Sequence, residues 1–180
     1  MMKKDKYKIT DKYVLFSGSF LSNWWPCSEA FTIVCNDKQY IMLSSEHYYM
    51  FLKAFFFQDF DTMEKIANSQ TVEEAKNLGR SVKGFDDFMW SKVRQQYMYI
   101  AVSEKFHQCQ KERSWLLSPE FDNKVFVEGR SADGVWGIGL DWRDSLAEDC
   151  KNWKGMNLLG RVLTEVREDL KLENKQLTLF

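Results

Sequence analysis

Histidine is scarce in this chain. Only His47 and His107 are present, and the four cysteines, Cys27, Cys35, Cys109 and Cys150, include no Cys-x-x-Cys pair. Together these absences argue against a zinc site. An excess of charge of either sign is missing too. The 25 basic and 26 acidic residues leave a net charge of −1, which removes the broad basic surface of a general nucleic-acid binder. Any nucleotide must therefore be held by a local site. No apolar run reaches membrane-spanning length, the densest being Phe55-Phe56-Phe57. The start, Met1-Met2-Lys3-Lys4-Asp5-Lys6, has no apolar stretch behind it and does not read as a signal peptide. Free thiols of this kind fit a reducing cytoplasm. Repeats, low-complexity linkers and domain boundaries are absent as well.

What is present suits one compact domain: 180 residues, 44% of them hydrophobic. Aromatic residues make up 16%, including 7 Trp and 14 Phe, enough to fill a core and also to wall a pocket with rings. The order of elements predicts an α+β fold, predominantly helical with a small antiparallel sheet. Residues 1–12 read as a loose arm and 172–180 as a loose tail. Tyr13-Val14-Leu15-Phe16 reads as a strand. Phe31 to Cys35 and Gln39 to Leu43 read as a hairpin turning at Asn36-Asp37. A helix carrying Glu46 and Lys53 follows, capped by Ser44 or Ser45. Asp61 with Glu64, and Thr71 with Glu74, read as capping boxes of two short helices, the second ending at Gly79. A long amphipathic helix runs from about Asp86 to Phe106, with Trp90, Val93, Tyr97, Ile100 and Glu104 near one face. Lys124 to Glu128 alternates like a strand. The last helix, from about Asn157 to Leu170, has Asn157 as its cap and Leu158, Leu159, Val162, Leu163 and Val166 in register.

Ser44 to Lys53 is the segment richest in chemistry. Glu46 and Lys53 fall on one helical stripe, two turns or roughly 10.5 Å apart. Bulky apolar residues lie between them, so the stripe faces inward. Glu46 either complements the helix dipole or serves as a catalytic or ligand-holding carboxylate. His47 beside it points elsewhere, because adjacent helix residues diverge, and reads as structural. Arg80 is either a surface arginine or an anion clamp, and its position alone favours the surface. In Asp133-Gly134-Val135-Trp136-Gly137-Ile138-Gly139, either Trp136 plugs the core of an ordinary turn, or the glycines admit a ligand that stacks on the ring. Trp90, Trp24 and Trp25 read as core by spacing. Cys27 has no base near it in sequence and makes a poor nucleophile.

Several segments, in order, resemble the YbiA-like, or NADAR, family. They are Phe20-Leu21-Ser22-Asn23 with Pro26, Ser45-Glu46-His47 through Lys53-Ala54, and Glu74-Ala75-Lys76-Asn77-Leu78-Gly79-Arg80. Trp90, Lys105-Phe106, Asp133 with Trp136-Gly137-Ile138-Gly139, and Gly155-Met156-Asn157-Leu158-Leu159-Gly160 complete the set. The likeness covers about residues 14 to 170, which implies a single YbiA-like domain over 13–171. It also implies an N-glycosidase that splits a ribose C1′–N bond without metal or cofactor. Its substrates would be ADP-ribosylated guanine, as nucleoside or nucleic acid, or phosphoribosylated intermediates of riboflavin synthesis. No membrane or obligate protein partner is implied. Glu46, Asp133 and Lys53 would be catalytic. Trp90, Arg80, Trp136, Asn23 and Gly137 would bind substrate. Lys53 would either hold sugar or phosphate or attack C1′ to form an imine. Trp24-Trp25 depart from the family pattern and alter the pocket's shape. A binding module that reads ADP-ribose without cleaving it is the competing expectation.

Overall fold

The structure, a computed structural model, describes residues 6–177 and contains five strands and six helices among them. The chain forms two compact units. One is Asn23–Glu112, and the other joins the chain up to Ser22 to the chain from Arg113 onward.

In the discontinuous unit, β1 (Tyr7–Ile9) pairs antiparallel with β2 (Tyr13–Phe16), and β2 pairs parallel with β5 (Val125–Glu128). Central β2 is a continuous apolar run because it is covered on both faces: Val14, Leu15 and Phe16 are fully buried. The supposedly loose arm therefore contains a strand, since Tyr7 to Ile9 finds the free edge of β2. Residues 1–5 lie outside the described residues. Helix α6 (Leu158–Leu177) packs on β5 and buries Leu159, Val162, Leu163, Val166 and Leu170. It continues well past residue 171, so most of the supposedly loose tail is helical. Asn157 is not a side-chain cap. It sits at φ 52°, its Oδ1 accepts from the Glu128 amide (3.0 Å) and its Nδ2 donates to the Phe126 carbonyl (2.9 Å), extending the β5 edge like a further strand. A Cβ on Gly160 would lie 2.1 Å from the Phe126 carbonyl oxygen, so only glycine lets α6 approach β5 this closely.

In the continuous unit, β3 (Phe31–Cys35) and β4 (Lys38–Met42) form the expected hairpin. Asn36 and Asp37, at φ 50° and 60°, make its turn, in the left-handed geometry that matches strand twist. Phe31, Ile33, Tyr40 and Met42 face inward while Val34 and Ile41 face out, a period of two. Helix α1 (Ser45–Phe56) is the axis of this unit. It packs against α2 (Phe60–Ala67), α3 (Val72–Arg80) and α4 (Asp87–Gln108). Being surrounded, it buries Ser45 through Ala54 without interruption. The cap of α2 is Asp59, two residues before the expected Asp61; its Oδ1 accepts from the Thr62 amide at 3.2 Å. Gly79 does not end α3 but lies inside it, where a Cβ would stand 2.1 Å from the Met50 sulfur. In α4, Trp90 is buried as expected, but further along the buried stripe is Met98, Ala101, Val102, Lys105 and Phe106, one residue on from the expected face. Helix α5 (Gln110–Leu116) carries the chain out of this unit.

Candidate active site

Glu46 owes its position to the join between hairpin and helix. Strand β4 ends at Met42, Ser44 caps α1 by accepting from the His47 amide (3.1 Å), and Glu46 falls in the first turn. A carboxylate there is favoured by the helix dipole. It is only 3% exposed, so it needs partners. The Asn23 side-chain amide donates to Oε2, and the Lys76 ammonium lies 3.3 Å from Oε1. The Asn23 carbonyl also accepts from the Glu46 amide at 2.9 Å, so that one loop residue grips both ends of the glutamate. Both carboxyl oxygens act as acceptors, as an ionised carboxylate does. Lys76 sits 4.2 Å from the centre of the Trp24 ring and keeps a quarter of its side chain exposed, which makes it the open rim of an otherwise closed group.

Two turns along α1, Lys53 donates to the Gly79 carbonyl (2.9 Å), with its ammonium 3.9 Å from the centre of the Phe85 ring. Burial lowers its pKa from the ordinary lysine range, against the pull of Asp87 and Glu46. Trp90 is walled in by Tyr49, Phe56 and Phe57, and Tyr97 stacks on it at 5.4 Å. Burial, reinforced by the charge of Glu46, raises the Tyr49 pKa, so this ring keeps its phenolic proton. Glu46, Lys53, Asn23 and Trp90 thus share the α1 neighbourhood. Arg80, at the end of α3, is exposed, one turn beyond Lys76 on the same stripe. His47 has a structural task. Its Nε2 donates to the Ile66 carbonyl (2.7 Å), which leaves Nδ1 to accept from the Leu43 amide (3.2 Å).

Asp133, Trp136 and Gly137 belong to the other unit. Asp133 Oδ1 accepts from the amides of Val135 (3.0 Å) and Trp136 (2.8 Å), folding the loop around the carboxylate. Gly137 is buried, and a Cβ there would meet the Glu128 carbonyl oxygen at 2.8 Å, so close packing alone requires glycine. Just before this loop, Arg130 and Ser131 line a polar hollow of about 390 Å³ with Lys6 and Arg143.

Lys76 was not singled out in sequence, although the signal was there. Val72, Lys76 and Gly79 are spaced i, i+4 and i+7, which puts the lysine on the inward face of α3. Among the described residues no group of three or more His, Cys, Asp or Glu could hold a metal, and no helix is long and apolar enough to cross a membrane.

The fold is α+β, with a buried, doubly held glutamate at the start of α1. The NADAR domain model matches residues 12–171, running through both compact units, and the chain belongs to that family. Protein irg-1 of Caenorhabditis elegans is 34% identical over 93% of this chain and 82% of its own length. N-glycosidase R617 of Acanthamoeba polyphaga mimivirus is 33% identical over 89% and 97%. The NMR structure of the E. coli protein YbiA is similar with a TM-score of 0.67 and 26% identity, covering 96% of this chain and 93% of that one.

Proposed function

We propose that the chain is an N-glycosidase that hydrolyses the bond between ribose C1′ and a base nitrogen. The substrate is ADP-ribosylated guanine, as nucleoside or nucleic acid, or a phosphoribosylated intermediate of the riboflavin pathway. The observation that carries this reading is the Glu46 carboxylate, buried and fixed by Asn23 and by Lys76, whose ammonium also lies over the Trp24 ring. Breaking a C–N glycosidic bond builds positive charge on C1′ and the ring oxygen. A desolvated carboxylate with fixed partners stabilises that charge, or orients the attacking water, without reorganising during the reaction. Trp24 offers a base a ring to stack on. Lys76 and Arg80, one turn apart on α3, offer cations to phosphate. Lys53, whose pKa burial lowers, is assigned either to bind the sugar or to attack an opened ribose as a neutral amine. The name of the mimiviral relative supports the reaction class. Asp133 enters as the second carboxylate, on the strength of the family resemblance.

The test is a product assay by mass spectrometry over ADP-ribosylated guanosine, ADP-ribosylated DNA and phosphoribosylated pyrimidines. Glu46→Gln is expected to lower kcat about a hundredfold or more while binding persists. Asp133→Asn is assayed alongside it. Stoichiometric binding with no released base, by the unaltered protein on every substrate, would make the domain a reader of ADP-ribose instead.

A further inference from the structure

The discontinuous unit holds a hollow of its own. Strands β2 and β5 are parallel, with Phe16 paired to Glu128, so the chain leaves both at the same edge. Such carboxyl edges are where α/β sheets open their ligand crevices. Ser17-Gly18 departs from β2 and Gly129-Arg130-Ser131 from β5, tied together by the Gly129 amide, which donates to the Phe16 carbonyl at 2.9 Å. Lys6 joins them because β1 starts opposite the end of β2. Its carbonyl accepts from the Ser17 amide (3.2 Å), and its ammonium lies 3.5 Å from where a Gly18 Cβ would stand. The turn Asp141-Trp142-Arg143 closes the remaining side, since the Trp142 amide donates to the Gly129 carbonyl at 3.1 Å. These residues line the hollow of about 390 Å³; Asp133, Glu46 and Lys76 do not.

The charges of this lining are unbalanced. Lys6, Arg130 and Arg143 stand against the single carboxylate of Asp141, in a chain whose net charge is −1. That carboxylate is already engaged. Arg143 Nε and Nη2 donate to its two oxygens at 2.9 and 2.7 Å, and the Arg143 amide donates to Oδ1 at 2.9 Å. Among the described residues, the Lys6 ammonium, the Arg130 guanidinium and the hydroxyls of Ser17 and Ser131 have no hydrogen-bond or ion-pair partner.

We propose that this hollow is a binding site for a phosphate group, with Lys6 and Arg130 as its charged anchors and the two serine hydroxyls as further donors. Four donors without partners line one concave space, and its only acid is neutralised by a neighbour. Such a lining suits a ligand that accepts hydrogen bonds and carries negative charge, and the oxygens of a phosphate do both. The Arg130 fork takes two of these oxygens side by side, and Lys6 meets a third as a point charge. Arg143, already paired, adds its field without being released from Asp141. A hollow of this size falls in the range of small-molecule sites, so the phosphate can be free or carried by a nucleotide. These residues take no part in the bond cleavage proposed above, and the site stands apart from that reading.

The experiment titrates inorganic phosphate and, separately, adenosine monophosphate into the isotope-labelled full chain at slightly alkaline pH, read by amide NMR shifts, with sodium chloride at matched ionic strength as the control. Saturable shifts are expected at Ser17, Gly18 and Gly129 to Ser131. Arg130→Gln and Lys6→Gln are each expected to weaken this binding about tenfold, with the amide spectrum of the rest of the chain unchanged. Asp141→Asn removes the competing carboxylate and loosens the Arg143 fork, and is expected to tighten it. A nucleotide that binds more tightly than the free ion, and loses that binding in Arg130→Gln, makes the phosphate the handle of a larger ligand; equal or weaker nucleotide binding makes the free ion the occupant. Shifts at these amides no larger than those with chloride, or an affinity that neither Arg130→Gln nor Lys6→Gln changes, overturn the proposal.

Discussion

At the residue scale, the cation pair on α3 separates two tasks. Lys76 touches the Glu46 carboxylate and has a half-buried side chain, whereas Arg80 is exposed one turn away. Lys76→Gln is expected to lower kcat about tenfold and to raise KM, because it loosens the carboxylate as well as a phosphate contact. Arg80→Gln should raise KM alone. Steady-state kinetics of both variants on one substrate checks the split; equal effects on kcat would mean that Lys76 does not position Glu46. Glu46 was legible in sequence because a helix start followed by apolar residues directs it inward. Its partners were harder to read. Asn23 lies 23 residues before it on an irregular loop, and no periodicity governs loop contacts.

At the element scale, α1 and α3 meet through one missing side chain. Met50 stands between Glu46 and Lys53 on the stripe of α1, and its sulfur occupies the space that a Gly79 Cβ would need. The carbonyl of the same glycine receives the Lys53 ammonium. Gly79→Ala should therefore cost about 1–3 kcal/mol by overpacking, even though alanine is the better helix former. Urea melts of Gly79→Ala, Met50→Ala and the double variant test this. The double variant should fall short of the sum of the single losses, and strict additivity would show that the two sites do not touch. The hairpin, the cap of α1 and the start of α4 were readable because turn residues, capping residues and period-two alternation are local signals. The cap of α2 was misplaced because Asp61 with Glu64 has the spacing of a capping box, whereas Asp59, with Thr62 at that position, caps through its own side chain alone. Asp59 also accepts from the Lys83 amide at 2.8 Å. The parallel pairing of β2 with β5 joins segments more than a hundred residues apart, and neither strand announces its partner.

At the scale of the whole molecule, stability should vary with pH through His47. Burial lowers its pKa below the ordinary 6.5, and Nδ1 must stay unprotonated to accept from Leu43. Above pH 6.5 the imidazole is neutral in folded and unfolded chains alike. As pH falls below that value the unfolded chain takes up a proton that the folded chain refuses, so stability drops until the folded pKa is reached. Thermal melts at pH 7.5 and 5.5 should show the loss, and His47→Gln should flatten it between those values. An unchanged slope in that variant would assign the loss to other groups. The division into two compact units left no trace in composition, because the chain passes between them once next to Asn23 and once within α5, without a linker. Only three residues, Leu43 to Ser45, separate Met42, the last paired position of β4, from Glu46. Inserting or deleting a single residue there would turn the carboxylate by about 100° and displace it by about 1.5 Å. The hairpin thus works as an indexing stop for the Glu46 carboxylate: its outward side chains are free to drift, but its length is not.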